Sequence, residues 1–190
     1  MYLPSPTFTL SFAIIASHKQ ILPDKFVFPK LLAIFVSRFS KSIVMTEINY
    51  MTQGNVTLPA LSEPAVQDWI VEVAQRHGRR VGCLTYVFCD DEYILVTNRE
   101  FLGHDFYTDI ITFDYTNSRH IAGDMVISLD TVLSNSEMLG VPYETELLRV
   151  MIHGVLHLCG INDKGPGERE IMEQYENEAL ALLPEGVFKQ

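Results

Sequence analysis

The sequence predicts an α/β domain, a small mixed sheet of four strands covered by helices, and three observations predict it. Strand-like and helix-like stretches alternate in the first part of the domain, two candidate strands lie close together across a short polar turn, and helical periodicity fills the C-terminal half. At 190 residues, with 47% apolar and 20% charged residues, the chain has the length and composition of one soluble globular domain with a real core.

Taken in order, Ile48 to Thr52 is a short strand candidate ended by Gln53-Gly54-Asn55. Leu61 to Arg76 is helical, with Ser62 as N-cap candidate, Pro64 in the first turn, an apolar stripe of Val66, Trp69, Ile70, Val73 and Ala74, and Gly78 as the stop. Val81 to Cys89 is rich in β-branched and aromatic residues and reads as a strand. Asp90 to Leu102 is ambiguous: Tyr93 to Thr97 has strand propensity, whereas Asp90 can cap a helix that turns Ile94, Leu95 and Phe101 or Leu102 inward. Asp109 to Tyr115 and Gly123 to Ser128 are strands separated by a turn containing Asn117, Ser118 and Arg119. Leu129 to Leu139 is a helix capped by Ser128 or Asp130 and ended by Gly140. Pro142 to Cys159 is a second, strongly apolar helix. Pro166 to Leu183 is a third, with Ile171, Met172, Tyr175, Ala179, Leu180 and Leu183 as its inner stripe and Glu168, Glu170, Glu173, Glu176 and Glu178 as a solvated acidic face.

Residues 1–44 differ from the remainder. They carry five basic residues against one acidic, Asp24, while the rest of the chain carries nine against twenty-three. Their apolar runs, Phe12 to Ala16 and Leu31 to Val36, fall short of the roughly 20 residues a bilayer span needs. No positive charge precedes the first run, so a secretory signal is poorly supported as well. The expectation is that residues 1–44 form an extension outside the fold, that Met45 is the natural start, and that 45–190 is the domain. Three cysteines, Cys83, Cys89 and Cys159, form no Cys-x-x-Cys pair and leave one over, which fits a reduced cytoplasmic compartment.

The chemistry concentrates in His153 to Asp163. On a helix, His153 and His157 share one face about 6 Å apart along the axis, close enough to grip one cation. Gly160 can take the left-handed conformation that ends a helix, which lets Asp163 return as a third ligand. Two imidazoles and a carboxylate suit zinc, with a fourth position open for water. A histidine pair at this spacing also occurs as a structural feature of cores, and Asp163 can cap a turn. Burying two unpaired imidazoles in so apolar a helix costs free energy that a metal offsets, and this favours the metal. Cys159, two residues past His157, points away and is a poor ligand. The spacing matches the zinc-peptidase motif, but the glutamate that serves there as general base is Gly154 here, so catalysis rests on His153 and His157 through a metal-bound water. Glu144 and Glu146, at the far end of the helix, favour its N-terminal dipole.

These residues resemble the YbeY family of metal-dependent endoribonucleases. The resemblance is carried by His153 to Asp163, by Tyr107-Thr108-Asp109-Ile110-Ile111-Thr112-Phe113, and by Gly123-Asp124-Met125-Val126-Ile127-Ser128, in the family's order, and it runs from about Met45 to the end. The chain departs from the family in Asp163, where the family has a third histidine, in Ile161-Asn162 for Tyr-Asp, and in Leu102 for a frequent arginine. The resemblance resolves Asp90 to Leu102 as a helix and implies a mixed sheet covered by helices. It further implies a single-strand-specific endoribonuclease with one Zn2+ per chain, acting in ribosomal RNA maturation at the small-subunit 3′ end and in ribosome quality control. Arg99 or Lys164 can stand in for the missing arginine, although a plain surface cation is the more common role for each, and block order brings His104, Thr108 and Asp109 near the site, where a turn or strand-cap role is the alternative for each.

The acidic balance of the domain works against generic RNA binding and suits a basic ribosomal protein on the small subunit. A ribosome-assembly factor with a structural metal is therefore one alternative. A metal-dependent hydrolase of peptides or small molecules is the other.

Overall fold

The computed structural model describes residues 46–188. The expectation for residues 1–44 lies outside them. The described chain runs β1 (Glu47–Thr52), α1 (Glu63–Arg76), β2 (Arg80–Cys89), α2 (Asp91–Leu102), β3 (Ile110–Asp114), β4 (His120–Ser128), α3 (Leu129–Leu139), α4 (Tyr143–Leu158) and α5 (Glu168–Leu180). One sheet has the order β1-β2-β4-β3; β1 and β4 run parallel to β2, and β3 is antiparallel to β4. The four-stranded mixed sheet covered by helices is thus as expected.

Connection length explains the mix. Parallel neighbours need a crossover, supplied by α1 between β1 and β2 and by the α2–β3 excursion between β2 and β4, whereas β3 and β4 are joined by a hairpin. In that turn Asn117 Oδ1 accepts from the backbone N–H of Arg119 and of His120, both at 2.9 Å. Strand β4 starts at His120 rather than Gly123 because its first residues pair with Arg80 and Val81 of β2.

Asp90 decides the ambiguous segment: its backbone is extended and its carboxylate accepts from Tyr93 N at 2.9 Å, so the helix starts there, and Ile94 turns inward. On α1, Ser62 holds the N-cap position without a side-chain cap bond, and the predicted stripe from Val66 to Ala74 is buried. Ser128, not Asp130, caps α3 by accepting from Thr131 N at 3.2 Å; Asp130 accepts from Asp91 N instead.

Helix α4 lies at the centre of the core. Leu147, Leu148, Val150, Met151, Ile152, Val155, Leu156 and Leu158 are buried, each worth about 1.5–3 kcal/mol in transfer from water. Gly154 lets it approach the sheet: a Cβ there would sit 2.8 Å from Ile110 Cδ1 and 2.9 Å from Met125 Sδ. The position that carries a general base in the peptidase motif is therefore turned into the sheet, where even a Cβ would make the side-chain ends of Ile110 and Met125 shift.

Helix α5 is shorter than expected, because residues 166 and 167 belong to the turn before it. Its buried residues are Met172, Glu176 and Ala179, while Ile171 is 49% exposed. Two expectations are corrected here: Ile171 is not on the inner stripe, and Glu176 is not on the solvated face. Trp69 Nε1 donates to Ala179 O at 2.7 Å, which ties α5 to α1.

Candidate metal centre

One stripe of α4 is polar, at spacings of three and four residues: Glu146, Arg149, His153 and His157. Past Leu158 the helix closes in a Schellman turn. Ile161 N donates to Leu156 O at 3.1 Å, Gly160 N donates to His157 O at 2.9 Å, and Gly160 has φ +97°. The turn aims the Ile161 carbonyl back at the helix, where it accepts from His157 Nδ1 at 2.9 Å. It also returns the chain so that Asp163 faces both histidines.

The tautomers follow from the partners. A carbonyl only accepts, so Nδ1 of His157 carries its proton, and His153 Nδ1 likewise donates to the Glu176 carboxylate at 2.7 Å. Both Nε2 atoms are thereby turned to one point. They lie 2.9 Å from each other, and 3.6 and 3.7 Å from Asp163 Oδ2. Two imidazole lone pairs at 2.9 Å repel unless a cation lies between them.

A tetrahedral ion bound at about 2.0–2.2 Å has ligand atoms about 3.3–3.6 Å apart; one observed separation is shorter than that and the other two lie at or just beyond its upper edge. His153, His157 and Asp163 are the one group of three or more such side chains, among the described residues, close enough to hold a metal ion. The donor set therefore fits a divalent cation.

Burial lowers the pKa of His153, but the hydrogen bond and charge of Glu176, with Asp163 and Asp109, outweigh it and leave the pKa raised. Burial and the neighbouring His153 push His157 the other way. One protonated and one neutral imidazole can share the Nε2–Nε2 contact.

The other expected residues spread out. Asp109 accepts from Ile110 N at 2.8 Å and from Asn135 Nδ2 at 3.3 Å, and its charge reaches His153. Thr108 Oγ1 lies 3.4 Å from Asp109 Oδ1. His104 stacks on Phe106 at the surface, with centroids 5.1 Å apart. Arg99 is exposed and paired with Asp105 at 2.5 Å, and Leu102 is half-buried at the end of α2. Lys164 is exposed, and its charge reaches His157. Burial pushes the Cys159 thiol up to about 11, partly offset by Arg79, which keeps it protonated near neutral pH.

Sequence reasoning missed three groups: Glu176, Arg149 and the Ile161 carbonyl. For Glu176 a signal existed, since it falls four residues after Met172 and three before Ala179, an acid on a buried stripe. The expected dipole role of Glu146 is incomplete: it is in the first turn but also buried, 3.5 Å from Arg149 Nε. No signal marks a backbone carbonyl.

The family model described as Endoribonuclease YbeY matches residues 47–184. A curated relative from Parabacteroides distasonis, named Endoribonuclease YbeY, is 59% identical over 131 residues, covering 69% of this chain and 92% of that protein. One of the same name from Phocaeicola vulgatus is 59% identical over 136 residues, covering 72% and 98%. A solution structure from Thermotoga maritima aligns with a TM-score of 0.49 at 23% identity, over 70% of this chain and 89% of that one. With the matched region spanning β1 to the end of α5, the chain belongs to the YbeY family of endoribonucleases.

Proposed function

We propose that this endoribonuclease binds one Zn2+ per chain through His153, His157 and Asp163, and cuts single-stranded ribosomal RNA at that centre. The observation that carries the reading is the set of three donor separations, 2.9, 3.6 and 3.7 Å, which bracket the edge of a tetrahedral site. A zinc ion with three protein ligands and an open position supplies Lewis acidity toward a phosphoryl oxygen and lowers the pKa of water to about 7. The chain's own residues do the rest. Asp163 brings a negative charge where the family has a neutral histidine, so the centre is less electron-withdrawing. Gly154 brings no base, so any proton moved in the reaction goes to solvent.

In this reading the protein acts in the cytoplasm on the small-subunit rRNA 3′ end and in ribosome quality control. The net charge of −10 favours a basic ribosomal protein as the docking partner, since the RNA itself is repelled by an acidic surface. The same charge, with Leu102 in place of a cation, is what supports the second reading, an assembly factor whose metal is structural. Metal analysis of the purified chain with cleavage of single-stranded RNA, with and without chelator, separates them. Stoichiometric zinc and chelator-sensitive cleavage are expected. Zinc without cleavage, in protein that co-sediments with small subunits, refutes the nuclease reading in favour of the second.

A further inference from the structure

Glu176 sits at an inward position of α5 and is only 8% exposed. Burying a carboxylate costs several kcal/mol unless charged and hydrogen-bonded partners compensate. Its partners are two. Oε1 accepts from His153 Nδ1 at 2.7 Å, and Oε2 accepts from Arg149 Nη1 at 3.3 Å. Arg149 Nη1 also donates to Asn177 Oδ1 at 2.9 Å, and Arg149 Nε lies 3.5 Å from Glu146 Oε2. A continuous polar relay thus crosses from α4 to α5 and ends on a ring nitrogen at the centre. His157 is held differently, by the turn of its own helix.

We propose that Glu176 is a positioning residue for the metal centre: it holds His153 with the proton on Nδ1 and Nε2 aimed at His157 and Asp163, and Arg149 holds Glu176 in place. The proposal rests on the zinc reading above and extends it to the docking of α5 on α4 as a determinant of metal affinity. The bond from the imidazole is the shorter of the two, and each goes to its own carboxylate oxygen, so Glu176 holds both groups at once. Free imidazole favours its proton on Nε2, and in that tautomer His153 would turn an N–H toward the other ligands. A carboxylate behind Nδ1 reverses the preference and makes Nε2 a stronger donor.

The test uses the full chain, its zinc affinity measured by competition with a chromophoric chelator, and NMR of 15N-histidine-labelled, zinc-loaded protein. Glu176→Ala is expected to weaken zinc binding by about 10–100-fold. It should also abolish the resolved Nδ1 proton signal of His153 while that of His157 persists. Glu176→Gln, which keeps an acceptor oxygen, should restore the His153 signal and most of the affinity. Arg149→Met should lose less affinity than Glu176→Ala and keep the signal. Zinc affinity in Glu176→Ala within about twofold of the parent, against the larger loss typical of such groups, overturns the proposal. So does an equal loss in Glu176→Ala and Arg149→Met with the His153 signal intact in both, which is the outcome of a merely structural ion pair. A parent chain that takes up no zinc overturns the metal reading itself, and this proposal with it.

Discussion

Two faces of α4 are built by different rules. The buried side, with Met151, Gly154 and Val155, is made by apolar burial and, where Gly154 meets the sheet, by the absence of one Cβ, and its partners are interchangeable in kind: another hydrophobe of the same volume would serve. The polar stripe, with Arg149, His153 and His157, depends on single atoms supplied from elsewhere: Glu176 Oε1, the Ile161 carbonyl and Asp163 Oδ2. Stability resides on the first face and chemistry on the second. Substitutions on the two should therefore separate folding from metal binding.

The largest effect is expected for His153→Ala or His157→Ala. Each removes one of the three proposed ligands, so stoichiometric zinc and RNA cleavage should be lost while circular dichroism shows the fold retained. Zinc retained in both variants would break the assignment. Asp163→Ala should weaken zinc less severely, and Asp163→His should preserve it, because an imidazole offers an equivalent donor at about 2.0–2.1 Å. An affinity in Asp163→Ala equal to the parent's would leave Asp163 with a turn-capping role only.

The two glycines sharpen the contrast. Gly160→Val forces a β-branched residue to φ +97°, at about 1–3 kcal/mol, and should also weaken zinc because Ile161 and Asp163 shift with the turn. Gly154→Ala should change urea-unfolding stability by no more than about 1 kcal/mol, because the crowded atoms are the movable ends of Ile110 and Met125 and alanine gains about 1 kcal/mol in helix propensity, with the zinc affinity of the folded protein little changed. Equal effects of both on zinc would mean that the faces are not independent.

In the proposed centre zinc competes with the second proton that His153 takes up on Nε2, its Nδ1 proton being held by Glu176. Because the pKa of that group lies above its ordinary 6.5, zinc affinity should be full well above that value and should begin to fall, as pH is lowered, before pH 6.5 is reached. Chelator titrations across pH 5–9 check this, and an onset of the loss only below 6.5 would contradict it. The smallest effect belongs to Lys164→Ala, an exposed cation next to the centre, for which zinc affinity should be nearly unchanged.

The elements and half of the centre could be read from the chain alone, because they depend on near neighbours in sequence. Apolar periodicity marks α1 and α4, Asp90 and Ser128 carry the cap chemistry, and the spacing of His153 and His157 puts them on one face whatever the helix packs against. The left-handed exit at Gly160 is local too, and with it the return of Asp163. Other features needed tertiary structure, since they join residues that no local rule relates. Glu176 lies 23 positions from His153 and belongs, by composition, with four other glutamates on a solvated helix; only the docking of α5 on α4 turns it inward. Likewise, the chain shows that Gly154 lacks a general base, but only the packing shows that this position lies against Ile110 of β3 and Met125 of β4 rather than at the centre.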